Sequence, residues 1–208
     1  MRFYIFPELD KTNDFIHQLN VFADRKVVIY IIPELEKVLE KVHLANVQVY
    51  HIWIITTLFT WKWWLLLAVG VVTWLSWLYM RPKDKTHHLL IAGFFVMVAT
   101  YFMDAVGLAL GLWSYPIKEI PLIPPYLVWD LCVMPVSAMA TIQFKPTMNQ
   151  IVKSIGLGLS GAFIVQPIAS WLGYYHLKHW KHSYSFPLVI IIYLLAYFFY
   201  NERSWKKR

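Results

Sequence analysis

Two aspartates, Asp104 and Asp130, lie inside stretches otherwise apolar enough to cross a bilayer, and no other acidic residue of the chain does. A charged side chain at mid-bilayer costs roughly 2.5–3.5 kcal/mol even on lenient insertion scales, so such groups face a protein interior or a wet cavity. The chemistry open to them is proton donation, proton relay or capture of a cation. Asp104 stands nine residues before Trp113 and Asp130 nine after Pro121. At ~1.5 Å per residue both are about 13 Å from the same loop. Helices joined by a short connection pack antiparallel, so the carboxyls are expected to face each other, and repulsion then leaves a protonated acid beside a carboxylate.

The residues around this acid pair point to a pocket. Thr100 is one turn before Asp104, and Gly107 with Gly111 makes a G-x-x-x-G spacing that lets a second helix approach. Gly156 with Ser160, and Gly158 with Ala162, repeat that spacing. Gln166 precedes Pro167, and Pro135 follows Asp130 by five residues. Each proline frees a backbone carbonyl one turn earlier, beside a polar side chain. The segment from Trp113 to Tyr126 holds four prolines and reads as a lid. Trp113, Tyr115, Tyr126 and Trp129 are candidate pocket-mouth residues, as are Tyr175, His176, Trp180 and Tyr184 of the next loop on that face. Aromatics also gather at membrane interfaces, which is the plainer explanation of each taken singly. His176, His179 and His182 recur every third residue and would point to different sides of a helix, so no metal site is expected.

The elements that must carry these residues follow from hydropathy. At 59% hydrophobic, 18% aromatic and mean hydropathy +0.49, the 208-residue chain departs from soluble composition. The expected fold is an all-α, polytopic membrane helix bundle of about five transmembrane helices, over residues 61–80, 89–112, 122–142, 151–172 and 183–200. Residues 1–60 form an N-terminal segment of different character and carry seven of the twelve acidic residues. Pro33-Glu34 reads as the start of an amphipathic helix, with Leu35, Val38, Leu39 and Val42 opposite Glu36, Lys37, Glu40 and Lys41. That helix suits an interface or a protein partner. Residues 44–60 lead obliquely into the first span, a sixth crossing being the alternative. Residues 201–208 are a basic tail.

Charge and cysteine narrow the classes further. The net charge of +7 comes from basic residues flanking apolar runs, which suits lipid contact rather than nucleic acid. Arg81, Lys83, Lys85, Lys145, Lys153, Arg203, Lys206, Lys207 and Arg208 fall on one face. The positive-inside rule places that face in the cytoplasm of a multi-pass cell-membrane protein, with the N-terminal segment outside. Cys132 is the only cysteine, so no intramolecular disulfide can form. No catalytic triad order, Walker loop, H-E-x-x-H, Rossmann glycine pattern or arginine-rich sensor helix occurs, and no cofactor is expected.

The runs Asp104 to Pro116, Pro124 to Asp130 with Pro135, Gln166 to Tyr175 and Trp180 to Pro187 resemble a family of small uncharacterised multi-helix membrane proteins of spore-forming Gram-positive bacteria. The resemblance covers about residues 58–200. In that family the position of Gln166 is commonly glutamate, so this chain departs at one polar site. The family has no established activity to lend. Asp104, Trp113, Tyr115 and Asp130 also resemble features of integral-membrane carotenoid and terpene cyclases, which implies an acid that starts a cation in an apolar polyene. Three functions are therefore expected in order: binding or moving a small amphipathic or isoprenoid-like molecule or an ion; a non-catalytic membrane scaffold for a protein partner; and an acid-initiated isoprenoid cyclase.

Overall fold

A computed structural model describes residues 25–201, with side chains from Pro33 onward. Helix α1 is Arg25–Thr56 and α2 is Trp61–Met80. After a short 3₁₀ turn, Lys83–Lys85, α3 runs over Thr86–Ala109. The apolar helix α4, Val128–Gln143, and α5, Gln150–Trp171, each contain a wide π-type turn, and α6 is His182–Tyr200. Two short strands, β1 (Trp113–Ser114) and β2 (His176–Leu177), pair antiparallel between the helices. The protein is an all-α bundle in which α2, Lys83–Ala109, α5 and α6 are long and apolar enough to cross a membrane.

The burial pattern of α3 shows why this is no soluble bundle. Leu89, Ala92, Gly93, Val96, Thr100, Asp104 and Gly107 form a buried stripe at three- and four-residue spacing. The opposite stripe, Leu90, Phe94, Val98, Phe102 and Val106, is exposed and just as apolar. Water would penalise such a face, whereas hydrocarbon does not. Along the buried stripe, α3 packs against α4 and α6 around Trp77, Leu89, Val96, Met139, Ile192 and Tyr193. Close approach depends on Gly93, where an added Cβ would stand 2.6 Å from Met139 Sδ. That contact lies outside the G-x-x-x-G pair read from the sequence.

Three boundaries differ from expectation. Helix α1 runs through Pro33 instead of starting there, with the good helix formers Glu34 to Lys37 carrying it on from the proline. Residues 44–56 complete the same helix, and a turn follows at Thr57–Thr60, with Phe59 at φ 59°. The described residues fall into two compact units divided between Ile52 and Trp53. In the first, Lys37 pairs with Glu34 at 2.7 Å, and Leu35, Val38, Leu39 and Val42 are exposed. The basic tail lies, apart from Asn201, outside the described residues.

The third difference matters for the site. The expected span over 122–142 gives up its first turns to the loop, and α4 reaches only about 24 Å at 1.5 Å per residue. Pro124 and Pro125 supply no N–H, and the Lys118 ammonium holds the carbonyls of Ile123 and Pro124 in a non-helical path.

Both π-type turns trace to proline. Met134 donates to Trp129 O and Gln166 to Gly161 O, five residues back in each case, and Pro135 and Pro167 follow directly. Pro135 leaves the carbonyls of Asp130 and Leu131 without a helical donor. Thr100 Oγ1 approaches Asp130 O at 3.4 Å and Trp74 Nε1 donates to Leu131 O at 3.1 Å. The neighbouring helices thus supply what the proline withholds.

Candidate functional site

At the lid end of the bundle a cavity of about 110 Å³, open on one side, is lined by α3, α4, α5, α6 and the two connecting loops. Its wall includes Thr100, Asp104, Trp113, Tyr115, Tyr126, Trp129, Asp130, Gln166, Tyr175 and Trp180, all of them candidates from the sequence. The two acids line this cavity together, and Thr100 Oγ1 stands 3.4 Å from the Asp130 backbone carbonyl.

The two acids are held very differently. Asp104, 5% exposed, accepts from Trp113 Nε1 at 2.7 Å and Tyr115 OH at 2.6 Å through Oδ1, and from the Tyr126 backbone N–H at 2.8 Å through Oδ2. It ties the start of α4 and both ends of the lid to α3. Asp130 is 1% exposed, and its Oδ2 has no hydrogen-bond partner. A buried polar atom without a partner is rare enough in folded proteins to mark a ligand, ion or water position.

The lid is built by both loops. β1 pairs with β2 in the register Trp113↔Leu177 and Ser114↔His176, and Leu112 O accepts from the Lys178 and His179 backbone N–H groups at 3.0 and 2.9 Å. Aromatic rings continue the cover. Tyr115 stacks between Tyr126 (4.6 Å, 9°) and Tyr175 (5.6 Å, 27°), and Trp113 meets Trp180 edge-on at 5.3 Å. Burial and the nearby Asp104 push the Tyr115 hydroxyl far up, so it remains a donor.

Two candidates sit outside this wall. His176 is exposed, with its backbone in β2, because strand alternation turns it away from its buried neighbour Tyr175. Tyr184 packs edge-on to Trp180 at 5.3 Å, behind the wall, where α6 has turned it off the cavity face. The glycines also divide. An added Cβ at Gly107 would lie 2.1 Å from Trp113 Cη2, so this glycine seats the lid's own indole rather than another helix. Gly111, at φ 66°, ends α3: Leu112 N–H reaches Gly107 O and Gly111 N–H reaches Leu108 O. That pattern satisfies the last carbonyls with a left-handed residue and explains Gly111 without helix packing. Gly158 does face α6, 3.2 Å from Phe186 O, while Gly156 has nothing within 4 Å.

Other residues of the site carried no polar signal in the sequence. Ser185, Leu188, Val189 and Ile192 of α6 line the cavity, with Met103, Met134 and Ala169. Their spacing of three, four and seven residues along one apolar helix is the trace a periodicity reading would follow. Ser185 Oγ accepts from Trp180 Nε1 at 3.0 Å, and Gln166 Oε1 meets His182 Nδ1 at 3.2 Å. Lys118 and Glu119, buried in the lid, were also missed as site elements. Glu119 Oε1 accepts from Val128 N–H at 3.1 Å and so caps α4 beside Asp104, while its Oε2 is buried without a partner.

Burial pushes the Glu119 carboxyl above its ordinary value of 4.5 and the Lys118 ammonium below its ordinary 10.5. Because Glu119 binds its proton more tightly in the fold than in the unfolded chain, its contribution to stability is fully present below pH 4.5 and is lost as pH rises through the raised folded value. Glu119→Gln keeps the acceptor for Val128 and is expected to flatten the difference in Tm between pH 7.5 and 5, read by thermal unfolding in detergent. An unchanged pH slope would contradict this account.

Comparison of the chain with protein-family models, curated proteins and solved structures gives no match.

Proposed function

We propose that the chain is a multi-pass protein of the cell membrane whose lidded acidic cavity binds, or moves, a small amphipathic molecule or an ion. The observation that carries this reading is the division between the two acids. Asp104 is saturated with donors and fastens the lid, whereas Asp130 offers a buried, unpartnered oxygen from the cavity wall. Tyr126 OH, on the same wall, is likewise buried without a partner, and such atoms are uncommon in folded proteins.

Size decides among occupants. A cavity of 110 Å³ takes an ion or a small polar head whole, whereas a polyene ring system would have to lie partly outside it. The cyclase reading therefore ranks below binding. Exposed Leu35, Val38, Leu39 and Val42 on α1 favour a second reading, a scaffold role toward a protein partner.

The test is thermal unfolding of the full chain against inorganic cations, short alkylammonium ions and neutral compounds of the same size. A ligand that binds only the folded state stabilises it by about 2.7 kcal/mol at a hundred times Kd. For a chain this long that raises Tm by roughly 5–10 °C. Asp130→Asn is expected to abolish the shift. A panel in which nothing moves Tm would remove the proposal.

A further inference from the structure

Building on the pocket reading above, we infer that the occupant is an ammonium group on a short carbon chain, held against Asp130 and walled by aromatic side chains. Three independent features converge on a cation. The cavity wall contains two aspartates and, among the described residues, no lysine or arginine. Lys118, the nearest lid cation, is spent on the carbonyls of Ile123 and Pro124. Asp104 carries three donors, so the unmet acceptor is on Asp130, which is buried to 99%.

The rest of the wall selects an organic cation over a metal ion. Trp113, Tyr115, Tyr126, Trp129, Tyr175 and Trp180 surround the cavity. Aromatic faces attract ammonium groups by their quadrupole and tolerate the carbons attached to them. A divalent ion would require six or more oxygen ligands, and no group of three or more histidine, cysteine or acidic residues able to hold a metal exists among the described residues. By proportion with the ~150 Å³ cavity that takes benzene, 110 Å³ admits about four or five heavy atoms. Propylammonium has four. The same head occurs on free amines and on ethanolamine lipids, and Leu188, Val189 and Ile192 of α6 offer an apolar side to whatever the nitrogen carries.

The experiment uses the full chain in phosphatidylglycerol nanodiscs at constant ionic strength. Propylammonium chloride is titrated against 1-propanol, its neutral counterpart, and against NaCl, with Tm and tryptophan fluorescence as readouts. Propylammonium is expected to raise Tm by roughly 5–10 °C near saturation. The alcohol and Na⁺ should leave it unchanged, and Asp130→Asn should remove the response. Equal shifts from propanol and propylammonium, or a full response in Asp130→Asn, would overturn the inference. An Asp130-dependent shift from Na⁺ or propanol alone would overturn it while leaving the pocket reading intact, and no shift from any probe would remove both. The ammonium-against-alcohol comparison uses the native sequence and stands even where the variant fails to fold. A second set of nanodiscs containing phosphatidylethanolamine separates the sources. If the lipid head is the occupant, these discs raise the starting Tm of the native chain but not of Asp130→Asn, and added propylammonium does nothing more. If a free amine is the occupant, the propylammonium shift persists.

Discussion

Asp104→Asn is expected to lower Tm by roughly 5–15 °C, whereas the same change at Asp130 should leave Tm within a few degrees of the parent. The asymmetry comes from the donor sets. At 104 the carboxylate meets an indole N–H, a phenol O–H and a backbone N–H, each 2.6–2.8 Å away. Hydrogen bonds to a charged acceptor contribute about 1.5–3 kcal/mol each. An asparagine loses the charge toward all three and turns an N–H₂ toward at least one donor, for a cost of about 2–4 kcal/mol. At 130 no donor in the protein relies on Oδ2. Parallel thermal unfolding of the two variants checks the contrast. Equal losses would mean that both acids are structural, and the pocket reading would lose its main support.

The second large effect is expected at Gly107. A methyl group there would stand 2.1 Å from two carbons of the Trp113 ring, well inside any real contact distance. The ring is rigid, so the indole must leave, taking its hydrogen bond to Asp104 and its edge contacts to Tyr175 and Trp180 with it. Gly107→Ala should cost about 2–4 kcal/mol, within the range for overpacking plus a lost buried bond. A double-mutant cycle isolates the cause: in a Trp113→Ala background the same glycine change should be nearly neutral. Additive losses would show that Gly107 matters for a contact other than the indole.

Much of this arrangement was legible in the sequence because it rested on physics that acts over short range. Acids and prolines inside apolar runs are costly and therefore informative, and counting residues from a shared loop placed Asp104 and Asp130 at one level, where both line the cavity. The illegible part depended on partners distant in sequence. Gly107 and Gly111 share one spacing, yet one seats an indole and the other ends a helix, and only the path of the following loop separates the two roles. Gly93 matters through Met139, forty-six residues away. Glu119 looked like an ordinary loop charge until the late start of α4 exposed N–H groups for it to cap. The inner face of α6 is apolar enough to serve lipid or cavity equally, and the fold alone decides which.

The truncated start of α4 has a directional consequence. From the lid, a visitor to the acids crosses one layer of loop. From the opposite end it meets the packed side chains of Leu89, Ala92, Val96, Met139 and Tyr193, each at most 1% exposed. If the cavity binds a ligand as proposed, entry past the lid disturbs loop contacts, whereas entry from the far end would part that packed core, so exchange is expected through the lid.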